Sequence, residues 1–330
     1  MRTLQNRSDA TTNIGAHTAG FVLGDEIDMS QVPSLGLATM QSAETQARGF
    51  ASGRALYANY GKGVLFGWGN GQRISEGDRA RYVNDFQELV SSDFYWFTDP
   101  WQSNTPADPW LPESRTEADG TISGSQVRRA SNYGYQIDEM RRLDALDGQR
   151  KPIWAFVEVG SPFTPGEGDG IIRAITPAQI RAAVWHSLIA GARGVIYFQH
   201  SFSGPNMTHH ALRDPRYQPA IDTVTSVNAQ ITNLAPVLNA PTVTSHTTTS
   251  SGVRALYKWH DGHFYVFAAN RDHTAKTGTL GLPCVGNATA VKLGEDGERI
   301  PVIAGTFMDE FANGEAAHIY RIDGGSACGL

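Results

Sequence analysis

The chain has 330 residues, enough to bury a large hydrophobic core and to form two domains. Hydrophobic residues make up 40% and charged residues 18% of it, which excludes a disordered or fibrous chain. The formal net charge of −6 argues against nucleic-acid binding, which needs a basic face, and gives no support for attraction to an anionic membrane.

Targeting and redox signals are sparse. No stretch reaches the roughly 18 consecutive apolar residues of a transmembrane helix, so no membrane partner is predicted. The segment from Met1 to Ser8 lacks the apolar run of a secretory signal, so either the protein is not exported by that route or this is not its native start. Cys284 and Cys328 are the only cysteines; one bridge or two unpaired thiols both remain open.

The first two-thirds of the chain alternates between short apolar runs and longer helical patterns. Continuous apolarity is typical of parallel strands covered on both faces, which predicts strands at residues 20–24, 63–67, 93–97, 152–157 and 194–198. One helix is predicted from Ser75 to Ser91. Another begins at the N-cap Thr176, with Pro177 in its first turn, and stops at Gly191. This alternation predicts a parallel α/β architecture.

The pattern changes near Asn233. Two β runs, residues 253–259 and 264–269, flank an Asp261-Gly262 turn, which is a strong hairpin signal, and residues 295–298 offer a second turn of this kind. We therefore predict an α/β domain over residues 1–232 and a small antiparallel β-sandwich over residues 233–330. The sandwich is expected to supply no catalytic residue.

Two predicted strands end in a glutamate, Glu26 and Glu158. The carboxyl ends of the strands form the active-site face of a parallel barrel, and a carboxylate there is costly unless it has a role or a partner. Glycoside hydrolysis needs two carboxyls, one to protonate the leaving oxygen and one to attack or to activate water. The sequence therefore predicts Glu26 and Glu158 as a catalytic pair, ~5–5.5 Å apart in a retaining enzyme or ~6.5–9.5 Å apart in an inverting one. A structural salt bridge of Glu26 is the alternative.

This pattern resembles the retaining glycoside hydrolases of clan A, in which an acid/base glutamate ends strand four and a nucleophile glutamate ends strand seven. The resemblance implies a (β/α)8 TIM barrel of which strands four to eight are visible, with Glu26 as acid/base and Glu158 as nucleophile. Asp25 stands where the clan usually has an asparagine that contacts the sugar, so Asp25 is expected to contact substrate and, if close, to raise the pKa of Glu26. The segment from Ala182 to Phe202 is also similar to barrel domains in minor tail proteins of actinobacterial phages.

Aromatic and polar side chains near the predicted strand ends are the candidates for sugar binding, because flat aromatic walls suit the apolar C–H faces of sugar rings. Together with Asp25, the predicted substrate-binding residues are Trp68, Tyr95, Trp96, Trp101, Gln199 and His200. Trp110 is a further candidate, although at most two of these aromatics at strand ends are expected to be sugar platforms. The adjacent His209 and His210 are interpreted as a loop, and neither a metal nor another cofactor is predicted.

Two functions remain open on the sequence. The first is a retaining glycosidase acting on a polysaccharide or glycoconjugate, and the second is a non-catalytic carbohydrate-binding or structural module, such as a phage tail component that adheres to cell-wall glycan. A metal-dependent barrel hydrolase has less support. The compartment stays open between virion tail and cytoplasm.

The predicted barrel is incomplete, because five strands cannot close a cylinder that needs eight. The strand beginning at Gly20 and the strand over residues 194–198 are therefore each expected to pair with polypeptide outside residues 1–330, either an upstream segment or another chain.

Overall fold

The computed structural model describes residues 3–6, 17–50, 53–101, 127–204, 206–294 and 297–323. The α/β part contains strands β1 (Thr3–Asn6), β2 (Thr18–Asp25), β3 (Ala55–Tyr60), β4 (Trp68–Gly69), β5 (Gln72–Arg73), β6 (Leu89–Ser92), β7 (Ile153–Glu158) and β8 (Gly194–Phe198). Six of them form one sheet in the order β1-β2-β3-β6-β7-β8, and every neighbouring pair is parallel. The β4–β5 pair is a separate antiparallel hairpin.

Helices follow the strands and bury one face against the sheet. They are α1 (Ile27–Ser30), α2 (Pro33–Phe50), α3 (Lys62–Phe66), α4 (Glu76–Asn84), α5 (Ser131–Asp144), α6 (Pro177–Ile189) and α7 (Gln218–Leu238). Short 3-10 turns lie at Ala145–Asp147, Ala211–Arg213, Pro215–Tyr217 and Pro283–Val285. Among the helices that the structure describes, none is long and apolar enough to cross a membrane.

Capping signals in the local sequence determine where α6 begins. The Thr176 hydroxyl accepts a hydrogen bond from the Gln179 N–H, the Gln179 side chain accepts one from the Thr176 N–H, and Pro177 occupies the first helical position. At the other end Gly191 has a φ of 103°, a left-handed conformation that glycine adopts without strain. The predicted helix is confirmed at both ends.

The run at residues 63–67 is a helix rather than the predicted strand; the strand of this unit is β3, which lies just before it. The buried Asp28 carboxylate accepts hydrogen bonds from the N–H groups of Gly61 and Val64, which satisfies the start of α3. Gly67 ends the helix with a φ of 75°. Asp28, which caps the helix, is distant in sequence. The apolar run by itself therefore predicted a strand.

The run at residues 93–97 is also not a strand. β6 ends at Ser92, and the predicted helix over 75–91 ends at Asn84, because its last residues form β6. After the strand, the Tyr95 carbonyl accepts hydrogen bonds from the N–H groups of Thr98 and Asp99, which turns the chain. The aromatic run therefore fills space above the strand end instead of extending it.

The sheet is a curled half-barrel that resembles a TIM barrel. β1 pairs in parallel with β2, with Leu4 opposite Gly20, so the expectation that the strand at Gly20 pairs outside the chain is wrong. Within the described residues the sheet ends at β1 and β8. If β8 is counted as the eighth barrel strand, β2, β6 and β7 take the fourth, sixth and seventh positions. The pairing of β8 with other polypeptide stays a prediction.

The last third of the chain forms two antiparallel sheets, consistent with the predicted sandwich. The strands are β9 (Thr248–Thr249), β10 (Val253–His260), β11 (His263–Asn270), β12 (Lys276–Gly281), β13 (Ala288–Lys292), β14 (Arg299–Val302), β15 (Thr306–Phe311) and β16 (Ala317–Asp323). The sheet orders are β10-β11-β16-β13-β14 and β15-β12-β9. Asp261 and Gly262, with φ of 50° and 78°, join β10 to β11 as predicted. β13 and β14 pair around the second predicted turn, of which residues 295 and 296 lie outside the description.

The sandwich packs against the helices of the half-barrel. Trp185 of α6 stacks on Phe267 of β11 with ring centroids 5.9 Å apart, and both are fully buried. The predicted division at 232/233 falls inside α7, and it stays a prediction. Cys284 is disulfide-bonded, while Cys328 lies outside the described residues.

Candidate active site

An open cavity of about 610 Å³ lies at the carboxyl ends of the parallel strands, where barrel enzymes hold their chemistry. It is lined by Asp25, Glu26, Met29, Lys62, Asp93, Tyr95, Asp99, Trp101, Pro162, Phe163 and Phe198. Asp25 ends β2, Asp93 follows β6, and Phe198 ends β8. Carboxylates from two different strands therefore share one concave surface.

Glu26 is held in an unusual backbone conformation. Its φ of 48° and ψ of 35° are left-handed, and its N–H donates to the Asn59 carbonyl at 3.0 Å. For a residue with a Cβ this conformation costs roughly 1–2 kcal/mol and is common at functional sites. Gly61 makes room for the side chain, because a Cβ there would lie 2.9 Å from Glu26 Oε1. The backbone after β2 is thus shaped around this one carboxyl.

A chain of hydrogen bonds links β2 and β6, after which the acids stand, through the intervening strand β3. Ser91 on β6 donates to Asn59 Oδ1 at 2.6 Å, and the Asn59 amide on β3 donates to Asp25 Oδ1 at 2.9 Å. The Asp93 N–H donates to the Tyr60 carbonyl at 3.0 Å, which fixes the residue after β6. These bonds set the spacing between the end of β2 and the end of β6.

Burial, together with the charges of neighbouring carboxyls, raises the pKa values of two acids in the cavity. Burial raises the pKa of Glu26 to about 7, the charges of Asp25 and Asp28 add to the shift, and Lys62 opposes it. Glu26 is exposed when the whole residue is considered, and it lines the cavity. Its carboxyl group, however, is largely surrounded by protein atoms. Burial, with the charges of Glu26 and Asp25, also holds the pKa of Asp93 well above its usual range. At neutral pH these groups therefore cannot all be ionised.

Among the described residues that line the cavity, Lys62 is the one with a positively charged side chain. Its Nζ lies 2.7 Å from Asp99 Oδ2 and 4.9 Å from the centre of the Phe94 ring. Asp28 holds the backbone on both sides of Lys62 through its bonds to the N–H groups of Gly61 and Val64, and burial raises the pKa of Asp28 to about 6. Asp28 thus positions Lys62 without lining the cavity.

Glu158 lies apart from the cavity lining. It is 0% exposed; its Oε1 accepts from the Thr98 hydroxyl at 3.1 Å and its Oε2 from the Tyr133 hydroxyl at 2.7 Å. Burial raises its pKa to about 7. The cavity beside Glu26 is bordered by Asp93 and not by Glu158, so a catalytic role for Glu158 stays a prediction.

The predicted sugar-binding residues divide into two groups. Asp25, Tyr95 and Trp101 line the cavity, and Trp101 is 54% exposed. Trp96 is 1% exposed and its indole N–H donates to Gln136 at 3.0 Å, so it lies outside the lining, and its role in sugar binding stays a prediction. Its ring packs edge to face on its neighbours because the segment after β6 turns inward.

The remaining predicted residues lie outside the lining. Trp68 is half-buried in the β4–β5 hairpin, and Gln199 follows β8. The His200 ring packs against Phe198 and His209, with centroids 5.1 and 5.2 Å away. Trp110 lies outside the described residues.

Sequence reasoning missed Asp93, Asp99 and Lys62. An aspartate directly after a strand is the same signal that identified Glu26, but the strand was placed over 93–97, so Asp93 looked like its beginning.

In the described parts of the chain, no group of three or more His, Cys, Asp or Glu side chains is arranged to hold a metal ion.

Comparison with known proteins supports the fold. No family sequence model matches the chain, and no curated protein matches it in sequence. A solved glycoside hydrolase superposes with a TM-score of 0.54 at 13% identity, over 97% of this chain and 68% of that protein. A family 5 glycoside hydrolase from Bacteroides vulgatus also gives a TM-score of 0.54 at 13% identity, over 97% and 65%. A family 27 β-L-arabinopyranosidase from Geobacillus stearothermophilus gives 0.52 at 12% identity, over 96% and 59%.

The chain thus has a mixed α/β fold similar to the TIM barrels of glycoside hydrolases, and it spans about two-thirds or less of their length. At these identities the likeness concerns the fold alone. None of these three structures is a phage tail protein, so that resemblance gains no support from them.

Proposed function

We propose that the chain is a glycoside hydrolase that cleaves a polysaccharide or glycoconjugate, with Glu26 and Asp93 as its reacting carboxyls. The observation that carries the proposal is that these two groups, from the ends of β2 and β6, line one cavity and both have raised pKa values. Perturbed carboxyls in a cleft at the carboxyl edge of a barrel are typical of acid–base sites.

The two carboxyls suit different roles. Asp93, whose pKa is held well above its usual range, suits the proton donor to the leaving glycosidic oxygen. Glu26, with a pKa of about 7, is partly ionised at neutral pH and attacks the anomeric carbon or takes a proton from the attacking water. Tyr95, Trp101 and Phe163 supply aromatic walls for the sugar rings.

Pairing of Glu26 with Glu158 is the competing arrangement, supported by the likeness to clan A. It requires Glu158, which is 0% exposed and lies outside the cavity lining, to become accessible to substrate; its bonds from Thr98 and Tyr133 could then stay in place, since each oxygen can accept more than one hydrogen bond. Mutation separates the two arrangements.

The test is hydrolysis of a panel of 4-nitrophenyl glycosides and polysaccharides by the wild type and by Glu26→Gln, Asp93→Asn and Glu158→Gln. We expect the first two variants to lose about 10²–10⁴-fold in kcat and Glu158→Gln to keep most of the activity. Glu310→Gln, at an exposed site of the sandwich, is the control, and circular dichroism checks folding. A wild type that binds glycans but hydrolyses none would establish the non-catalytic alternative; loss in Glu158→Gln with Asp93→Asn active would favour the clan A pair.

A further inference from the structure

The described lining of the cavity has more acidic than basic side chains. Asp25, Glu26, Asp93 and Asp99 face a single ammonium, Lys62, which is paired with Asp99 at 2.7 Å. Hydrolysis of a glycosidic bond needs two carboxyls. Asp25 is therefore an additional negative charge at the rim of the site, and no cation of the described residues forms an ion pair with it.

Two buried polar atoms of residues that line the cavity also lack hydrogen-bond partners. The Tyr95 hydroxyl belongs to a side chain that is 7% exposed, and it has no hydrogen-bond partner; the same holds for the buried Oδ1 of Asp93. Both atoms belong to residues that line the cavity. Buried polar groups without partners are costly, so both atoms are expected to be satisfied when a ligand is bound. A tyrosine hydroxyl and a carboxyl oxygen without partners, beside the Asp25 carboxylate that Asn59 contacts through one oxygen, favour a polar ligand with several hydrogen-bonding groups.

We propose that the substrate is an amino sugar with a free, positively charged ammonium group, and that this group pairs with Asp25. Sugar hydroxyls of the same ring reach Tyr95 and Asp93. This inference rests on the proposed glycosidase function and specifies its substrate class. A neutral or N-acetylated sugar would leave Asp25 without a charged partner.

A metal ion is a less suitable occupant of the same negative site. Metal ions need several ligands converging on one point, and no such group of three exists in the described residues. An ammonium group needs only one well-placed carboxylate to form a charge-assisted hydrogen bond.

The proposal has a protonation signature. Burial raises the pKa values of Glu26 and Asp93, and the charges of neighbouring carboxyls add to the shift, so a bound ammonium group, which offsets those charges, lowers both pKa values. Near pH 7, binding of an amino sugar should therefore release protons, whereas binding of the matching neutral sugar should release few. Titration calorimetry in two buffers of different ionisation enthalpy measures the number of protons released on binding.

The kinetic test compares 4-nitrophenyl glycosides of 2-amino sugars with their 2-hydroxy and 2-acetamido counterparts, at pH 6 and low salt. We expect kcat/KM to be about 10-fold or more higher for the amino sugar of the preferred configuration. In Asp25→Asn, which keeps the oxygen that Asn59 contacts, the ratio of amino to hydroxy substrate should fall towards one. In Asp85→Asn, an exposed aspartate on α4's carboxyl side, the ratio should stay unchanged.

The outcomes separate this inference from the function on which it rests. Turnover of neutral or acetylated sugars at least as fast as of amino sugars would overturn the amino-sugar inference and leave the glycosidase. If no glycoside is hydrolysed, calorimetry with the free amino sugar decides: binding dependent on Asp25 supports the inference without the activity, and no preference over the neutral sugar overturns it. Tight binding of Ca²⁺ that depends on Asp25, with no amino-sugar preference, would also overturn it.

Discussion

The backbone N–H of Glu26 donates to the carbonyl of Asn59 on the adjacent strand, and at this bond the Glu26 backbone turns left-handed. Strand pairing therefore stops at the residue whose carboxyl enters the cavity. The left-handed backbone conformation of Glu26 is unfavourable, so it lowers the free energy of unfolding by an amount that can be measured.

Replacement of Glu26 by glycine should stabilise the fold while it removes the carboxyl. Glycine adopts a φ of 48° without a Cβ clash, so we expect Glu26→Gly to unfold with a free energy about 1 kcal/mol greater than Glu26→Gln. Both variants lose the charge, so their difference isolates the backbone. Urea unfolding measures it; equal stabilities would mean that residue 26 carries no strain.

The pH profile of kcat/KM should distinguish the roles of the two carboxyls. If Glu26 reacts as the carboxylate, activity rises as the pH passes up through about 7, because Glu26 must lose its proton, and it falls where Asp93 loses its own proton. Asp25→Asn removes one neighbouring charge and should move the rising limb to lower pH. A profile that falls through pH 7 instead would assign the proton donor to Glu26. As a cross-check, Asp93→Asn should lose least activity on glycosides with the most acidic phenol leaving groups.

Glu158 should make stability depend on pH. Its pKa rises from 4.5 to about 7 on folding, so the folded chain binds more protons between these values, and the contribution is fully present below pH 4.5 and lost as the pH rises through 7. The loss amounts to about 3 kcal/mol, since each unit is worth roughly 1.4 kcal/mol. Unfolding of the wild type and of Glu158→Gln across pH 4.5–8 should show this difference; parallel curves would mean that Glu158 is ionised in the fold.

Asp309 in the sandwich should matter for stability and not for catalysis. Burial alone would raise its pKa, but hydrogen bonds from His318, Tyr320 and Lys292 together hold it well below its usual range. Because the folded pKa is depressed, this stabilisation is present above the unfolded pKa and is lost in acid. We expect Asp309→Asn to lower the free energy of unfolding by about 3 kcal/mol and to leave kcat unchanged. A large fall in kcat of the folded variant would contradict the expectation that the sandwich supplies no catalytic residue.

Local signals determined the elements whose stabilising contacts lie close together in sequence. The capping box at Thr176 is completed by Gln179, and the turn at Asp261 and Gly262 joins adjacent strands, so short segments predicted both. The position of Glu26 directly after an apolar strand could likewise be predicted from the neighbouring sequence.

Only the tertiary structure decided which acids meet. Asp28 caps α3 and thereby turns an apolar run into a helix, and β6 lies before the more apolar segment that follows it; both depend on contacts between distant residues. Glu158 and Asp93 both stand at strand ends, and sequence reasoning favoured Glu158. Glu158 is buried where Thr98 and Tyr133 contact it, whereas the parallel pairing of β2, β3 and β6 brings Asp93 to the cavity that Glu26 also lines. Neighbours in a parallel sheet are set by strand order and not by spacing along the chain.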